Sequence, residues 1–185
     1  INSLGTVVIA ASSAAFNIEI LAYDVLNSFS QACTTFVGQN YGAKKMDRVQ
    51  KGYRISFWTV AIWGALIMLA FIIFPGPIAG VFFHEEKAME IAISYLIIIG
   101  FSETFMTIEL MTIGALSGLG MTKLCSIISI VLTSARIPLA MILTQTSLGL
   151  NGVWWALTIT SITKGIVFYF TFHHTSRHLP DANDN

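Results

Sequence analysis

Residues 36–54 read Phe36-Val-Gly-Gln-Asn-Tyr-Gly-Ala-Lys-Lys-Met-Asp-Arg-Val-Gln-Lys-Gly-Tyr-Arg54, and within them an apolar segment gives way to a cluster of positive charge. Five of the ten Lys and Arg residues of the chain lie in the eleven positions from Lys44 to Arg54. Such clusters mark the cytoplasmic ends of membrane spans. The stretch therefore predicts the end of one transmembrane helix and the start of the next.

The composition is that of a membrane protein. Hydrophobic residues make up 55% of the chain, charged residues 11%, and the mean hydropathy is +0.72. A soluble domain has roughly 45–50% apolar and 25% charged residues. The net charge is zero and the basic residues crowd into one loop, which excludes a nucleic-acid partner and makes the lipid bilayer the expected one.

The fold class that follows is all-α, a polytopic bundle of about five transmembrane helices over residues 1–176 with a cytoplasmic tail at 177–185. A helix needs about 20 apolar residues to cross about 30 Å of hydrocarbon. Five segments are long enough. The predicted spans are 4–38, 55–74, 91–117, 124–146 and 153–172.

Helix-breaking residues separate these segments. Pro75-Gly-Pro77 cannot continue a helix without losing backbone hydrogen bonds. Residues 78–90 are too short and too charged to span, which predicts a short surface helix. Glycines mark turns at 118–122 and 147–152. The tryptophan pair at 154–155 follows the second turn, where an interfacial aromatic belt is expected.

The distribution of Lys and Arg orients the bundle. The loop at 44–54, the turn at 118–123 and the tail carry seven of them, whereas the loops on the other side carry one. We expect the first group, and with it the C-terminus, to lie in the cytoplasm, and the protein to lie in the inner membrane of a bacterium. The chain starts at Ile1 without an initiator methionine, so we also expect a fragment with an external N-terminus.

Six charged residues lie within the predicted spans, and each costs about 2.5–3.5 kcal/mol at a lipid-facing helix centre. Their number predicts a polar interior. Buried carboxylates bind hard cations or exchange protons, whereas the buried cations are better explained as partners of a neighbouring helix's carboxylate. The candidates for cation or proton coupling are Glu19, Asp24, Glu103 and Glu109, and those for structural pairing are Arg136 and Lys164.

One face of the first predicted helix is polar. Its polar residues recur at three-, four- and seven-residue spacing, which places them on one stripe. The stripe predicts a pathway for a solute or ion. Arg136 of the fourth span is a further candidate for a residue that lines this pathway. The stripe consists of Asn17, Asp24, Asn27 or Ser28, Gln31, Thr34 or Thr35, and Gly38.

Glu103 and Glu109 point in different directions. They are six positions apart in the third predicted helix, so about 120° separates them at about 100° per residue. Glu103 shares a face with Thr107 and Gly114, and Glu109 shares one with Phe105. Only one carboxylate faces the pathway squarely, and the sequence leaves open which one.

His173, His174 and His178 raise a different class of function, a membrane-embedded enzyme with a histidine-bound metal. No second His or Cys cluster completes the ligand set, and the sequence has no P-loop, nucleophile elbow or His-Glu-x-x-His motif. We therefore predict no metal and no catalytic site.

Cys33 and Cys125 lie in apolar runs, which favours buried thiols over a disulfide.

Several motifs, in order along the chain, resemble those of the multidrug and toxic compound extrusion (MATE) family of transporters. The motif loop comprises Gly38, Gln39, Asn40, Gly42 and Ala43, together with Tyr41 and the basic residues that follow. The other motifs are Asn2-Ser-Leu-Gly-Thr6, Ala10-Ala11, Ser30-Gln-Ala32, Gly114-Ala-Leu-Ser-Gly-Leu-Gly120, Arg136-Ile-Pro138 and Leu148-Gly-Leu-Asn-Gly-Val-Trp154.

The resemblance implies two six-helix lobes around a central cavity, which expel cationic or amphipathic compounds in exchange for Na+ or H+. It implies that this chain forms most of the second lobe and that the N-terminal lobe of the same transporter is its missing partner. No cofactor is expected beyond the coupling ion. The alternative is a lipid-linked oligosaccharide flippase of the same superfamily, which would need a cationic cavity to hold phosphate groups. The spans contain four acids but only two basic residues, Arg136 and Lys164, which favours the exporter.

The resemblance also bears on the acids. In the branch of the family that uses second-lobe carboxylates, the third helix of this chain carries one, so Glu103 or Glu109 is its counterpart. Glu19 stands where the family often has Ile-Glu. The typical aspartate of the third helix is absent, which leaves both Na+ and H+ open as coupling ions.

The predicted topology can be checked by cysteine labelling of the complete protein in intact cells. A cysteine at position 48 should react only with reagents that reach the cytoplasm, and one at position 86 should react from outside, because of the seven-to-one distribution of Lys and Arg. Reaction of both positions from one side would rule out the five-helix arrangement.

Overall fold

The computed structural model describes the backbone of residues 6–83 and 85–178, and the side chains of residues 16, 20, 23–83 and 85–177. Eight α-helices and no strand occur in these ranges, so the all-α prediction is confirmed. The helices are α1 (Thr6–Gly42), α2 (Met46–Ile73), α3 (Pro75–Phe82), α4 (Glu86–Gly100), α5 (Glu103–Gly118), α6 (Thr122–Ser134), α7 (Arg136–Thr144) and α8 (Asn151–His178).

Helix α5 is the centre of the bundle and packs against α1, α2 and α8. Its contact with α1 is close because glycines stand at the crossing. A Cβ atom built on Gly114 would lie 2.5 Å from the carbonyl oxygen of Ser30, and one on Gly118 would lie 2.6 Å from that of Thr34. The Gly-x-x-x-Gly spacing of these two residues therefore marks a helix contact, as the small-residue rule for membrane helices predicts.

Hydroxyl groups of α1 reinforce this contact. Ser30 donates a hydrogen bond of 2.8 Å to the carbonyl oxygen of Leu110, and Thr34 donates one of 3.0 Å to that of Gly114. Both side chains reach α5 only because its small residues let the two backbones approach. Gly38 continues the row and lies against the carbonyl oxygen of Gly118.

Two apolar clusters divide the bundle into two ends. At one end the start of α2, the turn after α5 and the last part of α8 pack together, with Met46, Leu119 and Phe172 in one cluster. At the other end α3, the start of α4 and the start of α8 meet, with Ala79 and Trp154 in the second cluster. The structure thus brings the turn after α1, the turn after α5 and the end of α8 to one end of the bundle.

The third predicted span is divided. α4 and α5 meet at Phe101 and Ser102 with a bend of 56°, and together they are long and apolar enough for one span. The fourth is α6 and α7, which form one apolar segment from Thr122 to Thr144. By length and hydropathy three helices of the described residues could cross a membrane, or four if the bent pair counts as one span. The first predicted span, 4–38, falls largely in α1, part of whose side chains lie outside the described residues, so the five-span arrangement stays a prediction.

The family motif is helical rather than a loop. Gly38 to Gly42 form the last turn of α1, where Asn40 donates a hydrogen bond of 2.8 Å to the carbonyl oxygen of Phe36. The turn to α2 follows at once, with Lys44 at φ 55° and a bond of 2.8 Å from the Lys45 amide to the Asn40 carbonyl oxygen. This is the helix-ending geometry that usually takes glycine.

Other boundaries agree with the sequence. α2 ends at Ile73, just before Pro75 opens the short helix α3. Both cysteines are buried free thiols, as expected. Trp154 is 1% exposed and packs edge-on against Tyr95 at 5.5 Å, because α8 turns it into the second cluster. The position of the tryptophan pair at the membrane interface stays a prediction.

Replacing Gly114 with alanine in the complete protein should lower its thermal stability in detergent. The added methyl group overlaps the Ser30 carbonyl oxygen, and such overpacking costs about 1–3 kcal/mol. Gly76→Ala is the control, because no atom of the described residues lies within 4 Å of the place that its new Cβ atom would take. Equal melting temperatures for Gly114→Ala and the unaltered protein would contradict the close α1–α5 contact.

Candidate functional site

The two acids of α5 are both buried and lie on different sides of the helix. Glu103 has no exposed surface and Glu109 is 7% exposed. The row that contains Glu103 faces α1 and α2, since Thr107 lies against Gly64 and Gly114 lies against Ser30. The angular separation predicted from sequence thus puts the two carboxylates in different helix contacts.

Glu109 forms an ion pair with α8. The ammonium nitrogen Nζ of Lys164 lies 2.8 Å from the Glu109 oxygen Oε1. Their side chains are 9% exposed for the acid and 12% for the lysine. Two charges shielded from water in this way attract each other strongly, and removal of either would leave the other buried without a partner. The prediction that Lys164 serves as a structural partner thus agrees with the geometry.

Arg136 contributes a second positive charge to the same region. It opens α7, where its Nε atom donates a hydrogen bond of 3.0 Å to Thr160 and its guanidinium donates one of 3.4 Å to Ser161. Thr160 and Ser161 precede Lys164 by about one turn of α8, so the guanidinium group is held close to the pair of Lys164 and Glu109. The structure places this pathway candidate in the contact between α7 and α8.

Glu103 occupies the bend. It is the first residue of α5, directly after Ser102, whose hydroxyl group donates a hydrogen bond of 2.8 Å to the Ile99 carbonyl oxygen. A carboxylate in the first turn of a helix is stabilised by the helix dipole. Broken membrane helices also occur at the substrate and ion sites of transporters.

The polar stripe of α1 lies on the surface for most of its described length. Asp24, Asn27 and Gln31 are exposed, whereas Thr34 turns into the contact with α5. The side chains of Asn17 and Glu19 lie outside the described residues. The exposed part of the stripe is on the opposite side of α1 from the side chains that pack into the core, so it is open to a further partner.

The histidines form no metal site among the described residues, where no group of three or more metal-binding side chains occurs. His173 packs against the Tyr169 ring at 4.6 Å, and the side chain of His178 lies outside the described residues. His173 also meets the Tyr53 ring of α2 edge-on, with ring centroids 6.4 Å apart, so it is part of an aromatic contact between α2 and α8.

The comparisons with known proteins agree with this architecture. The sequence model of the MatE family matches residues 1–142. The chain belongs to the MATE family. Members of this family are transporters, so an enzyme with a histidine-bound metal is not retained.

Relatives of known name include multidrug and toxin extrusion protein 1 from Homo sapiens and from Pongo abelii. Each is 22% identical to the chain over 168 residues, which cover 89% of the chain and 29% of the relative. The chain thus spans less than a third of the length of these MATE proteins.

Solved MATE structures share the fold. The Vibrio cholerae transporter VcmN in the bent form has a TM-score of 0.86 at 20% identity and covers 95% of the chain, which spans 40% of VcmN. A Pyrococcus furiosus transporter of the MOP superfamily has a TM-score of 0.83 at 22% identity. It covers 91% of the chain, which spans 38% of it.

Sequence reasoning found the buried charges of this MATE chain but missed two contacts among its polar groups. Glu109 and Lys164 are 55 positions apart, and no spacing rule links residues of different helices. Tyr53 shares a hydrogen bond of 3.0 Å with Thr112 and stacks on Phe172 with ring centroids 3.6 Å apart. The only available signal was the presence of polar groups in apolar helices.

Lys164→Gln in the complete protein should lower the melting temperature more than the double variant Lys164→Gln/Glu109→Gln does. The single change leaves a buried carboxylate without its ammonium partner, which costs about 3–5 kcal/mol, whereas the double change removes both charges. Lys123→Gln, at an exposed position, is the matched control. Thermal unfolding in detergent measures all three. A double variant as unstable as the single one would show that the pair itself is not the cause.

Proposed function

We propose that the chain is one lobe of a two-lobe antiporter that exports cationic or amphipathic compounds in exchange for Na+ or H+. Membership of the MATE family supports this, as do the names of the relatives, which refer to multidrug and toxin extrusion. The observation that carries the proposal is the fully buried Glu103, at the bend between α4 and α5 and on the side of α5 that faces α1.

The exposed stripe of α1 would face the other lobe. A polar face is expensive against lipid, so Asp24, Asn27 and Gln31 need a partner or a water-filled cavity. The chain spans 40% of VcmN, and the remaining length of such a transporter is enough for a second lobe. We infer that the N-terminal lobe covers this stripe and that substrate passes between the two.

Glu103 is the proposed coupling residue. It lies in the same helix row as the glycine contacts with α1, so a movement of α1 against α5 changes its access to water. Ser102 precedes it and Thr107 follows one helical turn later; both are buried and carry oxygen atoms of the kind that a hard cation prefers. Proton or Na+ binding at this carboxylate would thus respond to the position of α1.

Glu109 is proposed to stabilise the bundle. Its carboxylate is already bound by Lys164, so a cation or proton that entered this site would have to displace an internal ammonium group. The nearby Arg136 makes binding of a further cation less favourable still. This ion pair is what separates Glu109 from a cation site, and the sequence alone does not give it.

The polarity of the stripe favours an exporter of cations over a flippase of phosphate-linked sugars. The Pyrococcus furiosus structure is described as having a binding pocket of reverse polarity that suggests a different function. Among the described side chains of the stripe, the only charged residue is Asp24. A negative charge attracts a cationic substrate and repels a phosphate.

The orientation of the bundle is also a proposal. The loop after α1, the turn after α5 and the end of α8 lie at one end, and together they carry the excess of Lys and Arg. We place this end, with the C-terminus, in the cytoplasm of a bacterial cell, and the protein in its inner membrane.

Glu103→Gln in the complete transporter should abolish efflux of a fluorescent cationic dye driven by a Na+ or proton gradient, because the amide neither releases a proton nor holds a cation. The double variant Lys164→Gln/Glu109→Gln should retain coupled efflux at matched protein amounts. Glu90→Gln, exposed near the other end of the bundle, is the control for a change of charge. Dye efflux from proteoliposomes over a range of pH and Na+ concentration measures all of these.

The opposite result would assign the site differently. If Glu103→Gln transports normally and the double variant does not, coupling runs through the Glu109 pair. If both transport normally, the coupling carboxylate lies in another part of the transporter.

A further inference from the structure

A groove between the start of α2 and the end of α8 stands apart from the proposed transport pathway. Its volume is about 550 Å³. Three basic side chains, Lys51, Arg54 and Arg177, line it against one acid, Asp47. All four are exposed, and the excess of positive charge fits an anionic group. We call this feature the basic groove.

The floor of the basic groove is aromatic and rigid. Tyr53 is 4% exposed and stacks on Phe172, and Tyr169 contacts both Phe57 and His173. Because these rings pack against one another across the contact between α2 and α8, the groove is formed without a ligand. A preformed site loses little conformational entropy when a ligand binds.

The apolar end of the groove opens onto the surface that faces lipid. Trp58 lines the groove and is 61% exposed. It also belongs to a row of exposed apolar side chains along α2, in which Ile62, Leu66 and Leu69 follow at helical spacing. No charged residue occurs in α2 after Arg54, so the hydrocarbon begins at this level.

From this arrangement we infer that the basic groove binds an anionic phospholipid. The phosphate headgroup lies among Lys51, Arg54 and Arg177, and an acyl chain runs from Trp58 along the exposed row of α2. Basic pockets between membrane helices bind anionic headgroups in this manner, and an interfacial tryptophan suits the level where headgroup and chain meet. A soluble anion would use the charges but leave the apolar row uncovered.

Bound lipid would join two helices that meet here through few polar contacts. The side chain of Gln50 donates a hydrogen bond of 3.5 Å to the Ser176 carbonyl oxygen, close to the upper limit for such a bond. A phosphate held by cations of both α2 and α8 would add a bridge between them. The inference is independent of the proposed transport activity, because it concerns binding at a different surface.

The test uses the complete protein in neutral detergent micelles, with brominated phosphatidylglycerol or brominated phosphatidylcholine as a quencher of tryptophan fluorescence. Phosphatidylglycerol should bind roughly ten-fold more tightly or better, given the attraction expected for three basic residues. The triple variant Lys51→Gln/Arg54→Gln/Arg177→Gln should lose this preference, and Trp58→Phe should remove most of the preferential quenching. Thermal unfolding without lipid verifies that each variant is folded.

The matched control is Lys44→Gln/Lys45→Gln/Arg48→Gln, which removes the same charge from exposed positions in the same part of the chain but outside the groove. It should leave the preference intact. Equal loss in both triple variants would overturn the inference, because general attraction to the basic region would explain the binding. Full displacement of the lipid by an equal concentration of glycerol phosphate would also overturn it, in favour of a soluble anion.

Discussion

The close contact between α1 and α5 is the constraint on which the rest of the bundle depends. Gly114 and Gly118 remove side-chain bulk where Ser30 and Thr34 approach, and the two hydroxyl groups then satisfy backbone carbonyl oxygens of α5. In a membrane, where apolar surface gains little by leaving lipid, such backbone proximity supplies the packing energy. With α5 fixed against α1, its remaining faces determine where α2 and α8 pack.

The burial of two acids follows from this arrangement. Because α5 is surrounded by helices, Glu103 and Glu109 are buried whatever their function, and each carboxylate needs surroundings that favour its negative charge. Glu109 obtains one from Lys164 on α8, and Glu103 lies at the start of the helix, where the dipole favours a negative charge. We propose that one acid of this helix stabilises the bundle and that the other is functional. Their separation arises from helical geometry, and the neighbouring helices give each acid its role.

Much of the fold could be predicted from the sequence. Apolar length, proline and glycine positions and the segregation of Lys and Arg gave the helices, the break at Pro75 and the grouping of the loops. The bend before Glu103 was not predictable, because residues 91–117 contain no proline and read as one continuous apolar helix. The motif from Gly38 to Ala43 was predicted to be a loop. The structure continues α1 through Gly42, and the turn comes only at Lys44.

The site was less predictable than the fold. Helical periodicity placed Glu103 and Glu109 on different faces of one helix, and the structure has them on different faces of α5. Periodicity says nothing about which neighbour covers each face, so the partner of Glu109 and the packing of Arg136 against α8 required the folded structure. The exposed residues of the α1 stripe show the same limit, since the surface that we propose to cover them belongs to the other lobe.

The three-residue turn between α1 and α2 has a mechanical consequence. Residues 43–45 can span only about 10 Å when fully extended, and here they are coiled into a hydrogen-bonded turn. α1 therefore cannot slide along its axis without carrying the start of α2. A lipid bound beside the start of α2 would then also restrain α1, and the lipid composition of the membrane would influence how fast α1 moves.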